Sequence, residues 1–186
     1  MSTTTTRMTA AEYLAAGDGD ERWTELIEGQ IVVNEPKLIH AGLQAAIAGE
    51  LYAWAKSRKG RGLSFTPTDV RMDDRNVYAP DVLWIAQKNL PLDLDGYPER
   101  VPDICVEIRS PSTWRYDLGA KKRVYEAGGL PELWLVDHIA GVVLVYRRSK
   151  PSSPVFDVEL ELGTGEALTS PQLPGFSLPL DDLFRH

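Results

Sequence analysis

Two acids stand where an acid is costly. Asp81 follows Pro80 and opens the apolar run Val82-Leu83-Trp84-Ile85, and Glu107 sits inside Ile104-Cys105-Val106-Glu107-Ile108. A carboxylate in an apolar strand must be paired, hydrogen-bonded or bound to a metal to offset its lost hydration. If two neighbouring strands bring these side chains together, two hard oxygen donors beside a strand carbonyl suit Mg²⁺, which takes few protein ligands and keeps several waters. Such an ion can orient a water, stabilise charge on a phosphoryl group and assist the leaving oxygen. Convergence would put the two carboxylates within roughly 5 Å of each other, so that one ion could bridge them at ~2.1 Å per bond. Paired carboxylates also serve glycosidases, but the chain is small and has no obvious aromatic-lined cleft.

The chemistry also needs a cation, to position water or stabilise the transition state. Arg109 shares the strand face of Glu107, because side chains alternate along a strand. It could instead form a purely structural ion pair there, and the local sequence leaves both readings open. Downstream, Lys121 and Tyr125 are four apart and share a helix face, with Asp117 one turn earlier. Asp117 reads as the N-cap of that helix.

These residues need elements to hold them. Thr9 caps a short helix over 10–16, stopped at Gly17. Residues 23–27 and 30–34 read as two strands turning tightly at Glu28-Gly29. Leu43, Ile47, Leu51 and Trp54 recur at helical spacing, so 38–59 is a long amphipathic helix that Gly60 and Gly62 stop. Strands follow at 63–66, 69–72 and 78–86, the last carrying Asp81. The Pro-rich segment 88–102 is a loop. A strand over 103–109, a helix over 118–127 ending at Gly128-Gly129, and a strand over 132–136 make a parallel pair with a helical crossover. Strands at 141–147 and 155–162 and a Pro-rich tail closing at 180–184 complete an α/β mixed sheet flanked by helices.

Composition bounds the function. The chain has 186 residues, 43% hydrophobic and 25% charged, near the averages of a folded globular domain. We read 1–186 as one domain with a flexible tail over 1–8. No apolar run approaches the ~20 residues of a membrane helix, and no secretory signal stands at Met1–Thr6. One cysteine, Cys105, allows no internal disulfide, and three scattered His (His40, His138, His186) make a zinc cluster improbable. A reducing, cytoplasmic setting is the expectation. The net charge of −7 argues against a dedicated nucleic-acid binder, which usually carries a basic surplus. The basic residues cluster, however, at 56–61, 121–123 and 147–150.

Several stretches resemble the Uma-two family of restriction endonucleases. They are Pro80-Asp81-Val82-Leu83, the run Val106 to Thr113, Tyr116-Asp117-Leu118-Gly119-Ala120-Lys121 with Tyr125, and Gly128 to Asp137. Glu25-Leu26-Ile27-Glu28-Gly29-Gln30 and the tail Leu168 to Gly175 are similar to that family as well, so the resemblance runs from about 9 to 184. It implies the fold of the PD-(D/E)xK nuclease superfamily, with Asp81 and Glu107 as metal ligands and Glu25 as an acid from the N-terminal region. The superfamily's lysine stands two residues after the second acid, where this chain has Arg109. The resemblance therefore points to Lys121, from the following helix, as the cation.

The expectation is a Mg²⁺- or Mn²⁺-dependent endonuclease acting on DNA, a homodimer built on apolar surface around 142–146 and 173–180. Asp81 and Glu107 bind the ion, Lys121 or Arg109 supplies the cation, and Glu25 orients the site. The rival is a catalytically inactive member of the fold that binds nucleic acid or a protein partner, and the acids could also form a structural network only.

Overall fold

The structure, a computed structural model, describes residues 7–16, 23–98 and 100–185. Helix α1 (Ala10–Ala16) opens with a capping box: the Glu12 amide donates to Thr9 Oγ1 at 3.2 Å, and the Thr9 amide donates to Glu12 Oε2 at 2.7 Å. The proposed stop at Gly17 and most of the expected tail lie outside the described residues, while the Met8 amide donates to Gly29 O. Strands β1 (Thr24–Ile27) and β2 (Gln30–Val33) form the hairpin. Its turn residues Glu28 and Gly29 both have positive φ, 50° and 77°, the type I′ geometry that matches strand twist.

Helix α2 (Leu38–Lys56) is followed by β3 (Leu63–Phe65), β4 (Val70–Arg71), β5 (Val77–Tyr78), β6 (Val82–Ile85) and β7 (Ile104–Ile108). Then α3 (Trp114–Tyr116), a π turn (Asp117–Lys121) and α4 (Lys122–Ala127) run on as one helical rod. Next come β8 (Glu132–Asp137), β9 (Val142–Arg147), β10 (Val158–Leu162), β11 (Ala167–Leu168), β12 (Leu178–Pro179) and α5 (Leu180–Leu183).

The central sheet has the order β10-β9-β8-β7-β6-β3, and a smaller one the order β2-β1-β5-β4. In the central sheet only β7 and β8 pair in parallel, joined by the helical rod; the other pairs are antiparallel. Alternation along β7 divides the core. Ile104, Val106 and Ile108 face α2, meeting Leu43, Ile47 and Leu51 together with Leu173 and Leu178 of the tail. Cys105 faces the other way, among Tyr78, Tyr125, Leu133 and Leu135. Ile47 and Leu51 are fully buried, and each such side chain contributes about 1.5–3 kcal/mol. Among the described residues no helix is long and apolar enough to cross a membrane.

Several expectations change. The strand read over 78–86 is two: Ala79-Pro80-Asp81 leaves the ladder, so β5 joins the small sheet and β6 the central one. Proline has no N–H for a ladder, and the break moves Asp81 to a strand end. Helix α2 ends at Lys56 rather than 59, where the Ser57 hydroxyl and Arg61 donate to Trp54 O and so occupy a last-turn carbonyl. Asp117 is not an N-cap: the helix starts a turn earlier, at Trp114, and Asp117 lies buried within it. The apolar residues expected to drive dimerisation are spent inside the chain, with Val143, Val145, Leu173 and Leu178 all buried.

Candidate active site

Three elements deliver the acids. Glu25 comes from β1 of the small sheet, Asp81 from the chain entering β6, and Glu107 from β7; all are at most 5% exposed. The β6–β7 register pairs Val82 with Val106, which brings Asp81 beside the end of β7. There the Ile108 amide donates to Asp81 Oδ2 at 2.7 Å. Helix α2 grips the same residue: His40 Nε2 lies 3.1 Å from Oδ2, and Gln44 Nε2 donates to the Asp81 carbonyl at 2.9 Å.

The cation at the centre is Lys121, 1% exposed. Its ammonium lies 2.9 Å from Glu25 Oε1, 2.7 Å from Glu107 Oε1 and 3.2 Å from Asp117 Oδ1. The Tyr125 hydroxyl donates to Glu107 Oε1 at 2.6 Å, and the Ala79 amide donates to Glu25 Oε1 at 2.9 Å. The Tyr78 ring closes the site, its centroid 5.3 Å from the ammonium. Asp117, Lys121 and Tyr125 thus line one side of the rod, as their spacing of four suggests. A π turn there is the kind of local irregularity that recurs at functional sites.

Arg109 is not part of this cluster. Its Nη1 bonds Asp137 Oδ2 at 2.6 Å, and its guanidinium lies 5.6 Å from the Trp114 ring centroid. The strand-face pairing with Glu107 therefore does not form. The Arg109 amide still extends the ladder to Val136 O, but its side chain finds its carboxylate on the next strand, and Lys121 has already taken Glu107.

Three carboxylates surround one ammonium in a buried space, and the titration behaviour follows. Burial opposes the charged form of Lys121, yet Glu107, Glu25 and Asp117 together hold its pKa well above the usual lysine value. The acids outnumber it. Burial first, then the charges of Asp117, Glu25 and Asp81 acting against Lys121, pushes Glu107 well up. Asp117 rises to about 6, chiefly through burial. Burial and the nearby Glu107 charge also push the Cys105 thiol up, so Cys105 is an inert core residue rather than a nucleophile. Among the described residues no three His, Cys, Asp or Glu side chains converge as a ready set of metal ligands.

The mixed sheet, its flanking helices and the acids at the β6–β7 end define a restriction-endonuclease-like fold. The chain belongs to the Uma2 family, whose model, described as "Putative restriction endonuclease", matches residues 10–181. Its fold is also that of a crystal structure described as a "putative nuclease belonging to DUF820" from Anabaena variabilis. The two superpose with a TM-score of 0.79 at 20% identity, over 95% of this chain and 97% of the other. No curated protein matches the chain. Family and fold together support a nuclease in general.

Sequence reasoning selected Glu25, Asp81, Glu107 and Lys121, and the fold brings Glu25, Glu107 and Lys121 into direct contact. It underrated Asp117 and missed His40 and Gln44. A signal for His40 existed: it precedes Leu43, Ile47 and Leu51 on the apolar stripe of α2, where a polar ring needs a reason.

Proposed function

We propose that the protein is a Mg²⁺- or Mn²⁺-dependent endonuclease that hydrolyses DNA phosphodiester bonds. The observation that carries this reading is the buried cluster of Glu25, Glu107 and Asp117 around Lys121, with Asp81 beside it. Three acids against one lysine leave an excess of negative charge out of water. Such a site is stabilised by protonation or by a bound cation.

The donor chemistry fits a divalent ion. The bonds on Asp81 fall on Oδ2 and those on Glu107 on Oε1. The second oxygen of each residue, Asp81 Oδ1 and Glu107 Oε2, is where the ion would be held. Two carboxylates without a closed cage suit Mg²⁺, which fills its shell with waters and substrate phosphate oxygens. When bound, such an ion supplies Lewis-acid stabilisation of phosphoryl charge and acidifies a water.

The protein's own groups do the rest. Lys121, held charged, supplies a fixed positive charge that can stabilise the charge developing on the phosphoryl group, but it is not the base, because its three acids oppose its deprotonation. Glu25 and Asp117 fix the ammonium, and Tyr125 fixes the Glu107 oxygen that faces it. Arg109, paired with Asp137 and 30% exposed at its side chain, suits a contact with substrate phosphate at the rim better than the catalytic cation. Phosphate contacts of this kind set register without reading bases. A homodimer remains part of the proposal, now on the exposed Leu92, Leu94 and Tyr97; sedimentation at micromolar concentration should show twice the 20.7 kDa chain.

The test is cleavage of duplex, single-stranded and branched DNA with Mg²⁺ or Mn²⁺, for wild type and Asp81→Ala. Wild type should cleave, and Asp81→Ala should be slower by about 10²-fold or more, the scale of losing a group that organises the transition state. No ion-dependent cleavage by wild type would favour a second reading, an inactive module of the same fold that binds nucleic acid or protein. The net charge of −7 disfavours contact with a polyanion and so speaks for the protein-binding form of that reading.

A further inference from the structure

We infer that α2 is the positioning element of the site: His40 and Gln44, one helical turn apart, clamp Asp81 so that Oδ1 alone is presented to the ion. The inference rests on the metal reading above and adds two positioning residues to it. His40 Nε2 lies 3.1 Å from Oδ2, and Gln44 Nε2 donates to the carbonyl of the same residue at 2.9 Å. Helix α2 thus holds one residue at two points, side chain and backbone, and the Ile108 amide adds a third at Oδ2. Residues four apart on a helix share a face, so a single rigid element sets both contacts.

The direction of the bond follows from its partner. Asp81 Oδ2 already accepts from Ile108, and an ionised carboxylate can only accept. His40 Nε2 is therefore the donor of this bond. The ring's Nδ1 is buried and has no hydrogen-bond partner among the described residues. A leucine would fill this position on the apolar stripe without stranding a polar atom. A polar ring placed where an apolar one would fold better is the mark of a site retained for function. The bond to Asp81 is what the histidine provides, because a carboxylate ligand is oriented by the hydrogen bond on its other oxygen.

The test is titration of the full chain with Mn²⁺ alone, followed by calorimetry, with the melting temperature of each metal-free variant measured in parallel. His40→Leu should bind Mn²⁺ about 10- to 100-fold more weakly, the usual effect of losing a partner of a ligand, while its metal-free form melts no lower than wild type. His40→Gln, whose amide nitrogen reaches the place of Nε2, should restore most of the affinity. Gln44→Leu should weaken binding in the same direction without passing through the ring. Equal affinity of wild type and His40→Leu would overturn the clamp and leave the metal site standing. A wild type that binds no Mn²⁺ would overturn the metal reading and the clamp with it. Loss of affinity in His40→Gln as severe as in His40→Leu would also overturn the clamp, since the imidazole itself would then be required.

Discussion

Glu107 and Glu132 are both buried acids on the central parallel strand pair, and they differ in everything except burial. The β7–β8 register puts Ile104 opposite Glu132 and Glu107 opposite Leu135, so the two acids stand toward opposite ends of the pair. Glu132 is the more buried, at 1% against 4% exposed. Its Oε1 accepts from Trp134 Nε1 at 2.8 Å and its Oε2 from the Ser170 hydroxyl at 2.6 Å. Both oxygens are spent on neutral donors, with Arg147 Nε 3.9 Å away. Asp103 nearby is treated alike, accepting from Asn89 Nδ2 and the Ala86 amide on separate oxygens. Glu107 crowds a lysine and a tyrosine onto one oxygen and lies among further acids. Burial alone therefore does not mark a functional carboxylate. Uncancelled charge does, because it stores the capacity to bind something else.

The largest expected effect comes from removing the cation. Lys121→Met keeps the stem but leaves Glu25, Glu107 and Asp117 without a counter-charge. Breaking a buried pair this way costs about 3–5 kcal/mol, measurable by urea unfolding near pH 8. Cleavage should fall by about 10²-fold or more, whereas Arg109→Ala should weaken DNA binding and flatten its salt dependence while cleaving near the wild-type rate at saturating DNA. If Arg109→Ala lost activity and Lys121→Met kept it, the roles assigned to the two cations would be reversed.

Next comes Glu132→Ala, which strands Trp134 Nε1 and the Ser170 hydroxyl. Each stranded donor costs about 1–3 kcal/mol, while Mn²⁺ affinity should not change. A variant that unfolds at the wild-type urea midpoint would show that this end of the sheet does not depend on the acid.

Glu107→Gln should have the opposite signature, with cleavage lost but stability at neutral pH equal to wild type or higher. The sign follows from linkage. Glu107 and Asp117 have folded-state pKa values raised above their unfolded ones, so each favours the folded state in its protonated form. Their contribution is full below the unfolded value and fades as pH rises through the folded one. For Asp117 the window runs from 3.8 to about 6. Without metal, stability should decline across it, and Asp117→Asn should flatten that decline. A wild-type profile rising over the same interval, with no such flattening, would contradict the charge excess.

The smallest effect belongs to a surface acid that behaves in the ordinary way. The Ser149 hydroxyl and amide, with the Ser153 hydroxyl, lower Asp157 to about 2. Its contribution is present above 3.8 and lost as pH falls toward 2. Asp157→Asn should speed hydrogen exchange of the Ser149 amide above that range, with its effect on global stability kept near zero by solvent screening at this exposed site. A measurable shift in global stability would place this clasp closer to the core than its exposure suggests.

Much of this was legible in the residues themselves. Helical spacing of Leu43, Ile47 and Leu51, alternation through Ile104 to Ile108 and the Glu28-Gly29 turn are local signals, set by 3.6- and 2-residue periods and by φ preference. They placed Glu107 on a strand, Asp81 at the head of the apolar run that became its neighbour, and Lys121 on the next helix. Which charge meets which was not a local matter. Arg109 lies two residues from Glu107, yet its partner is Asp137, while Lys121 reaches Glu25 from 96 positions away. Pro80 looked like part of one strand and instead divides two sheets. Asp117 looked like a cap because its type favours caps, but packing of the rod against β7 put it inside. His40 and Gln44 acquired their meaning only when α2 crossed the start of β6. Periodicity is written in neighbouring residues; the pairing of buried charges is decided by which elements the core brings together, and only the tertiary structure holds that information.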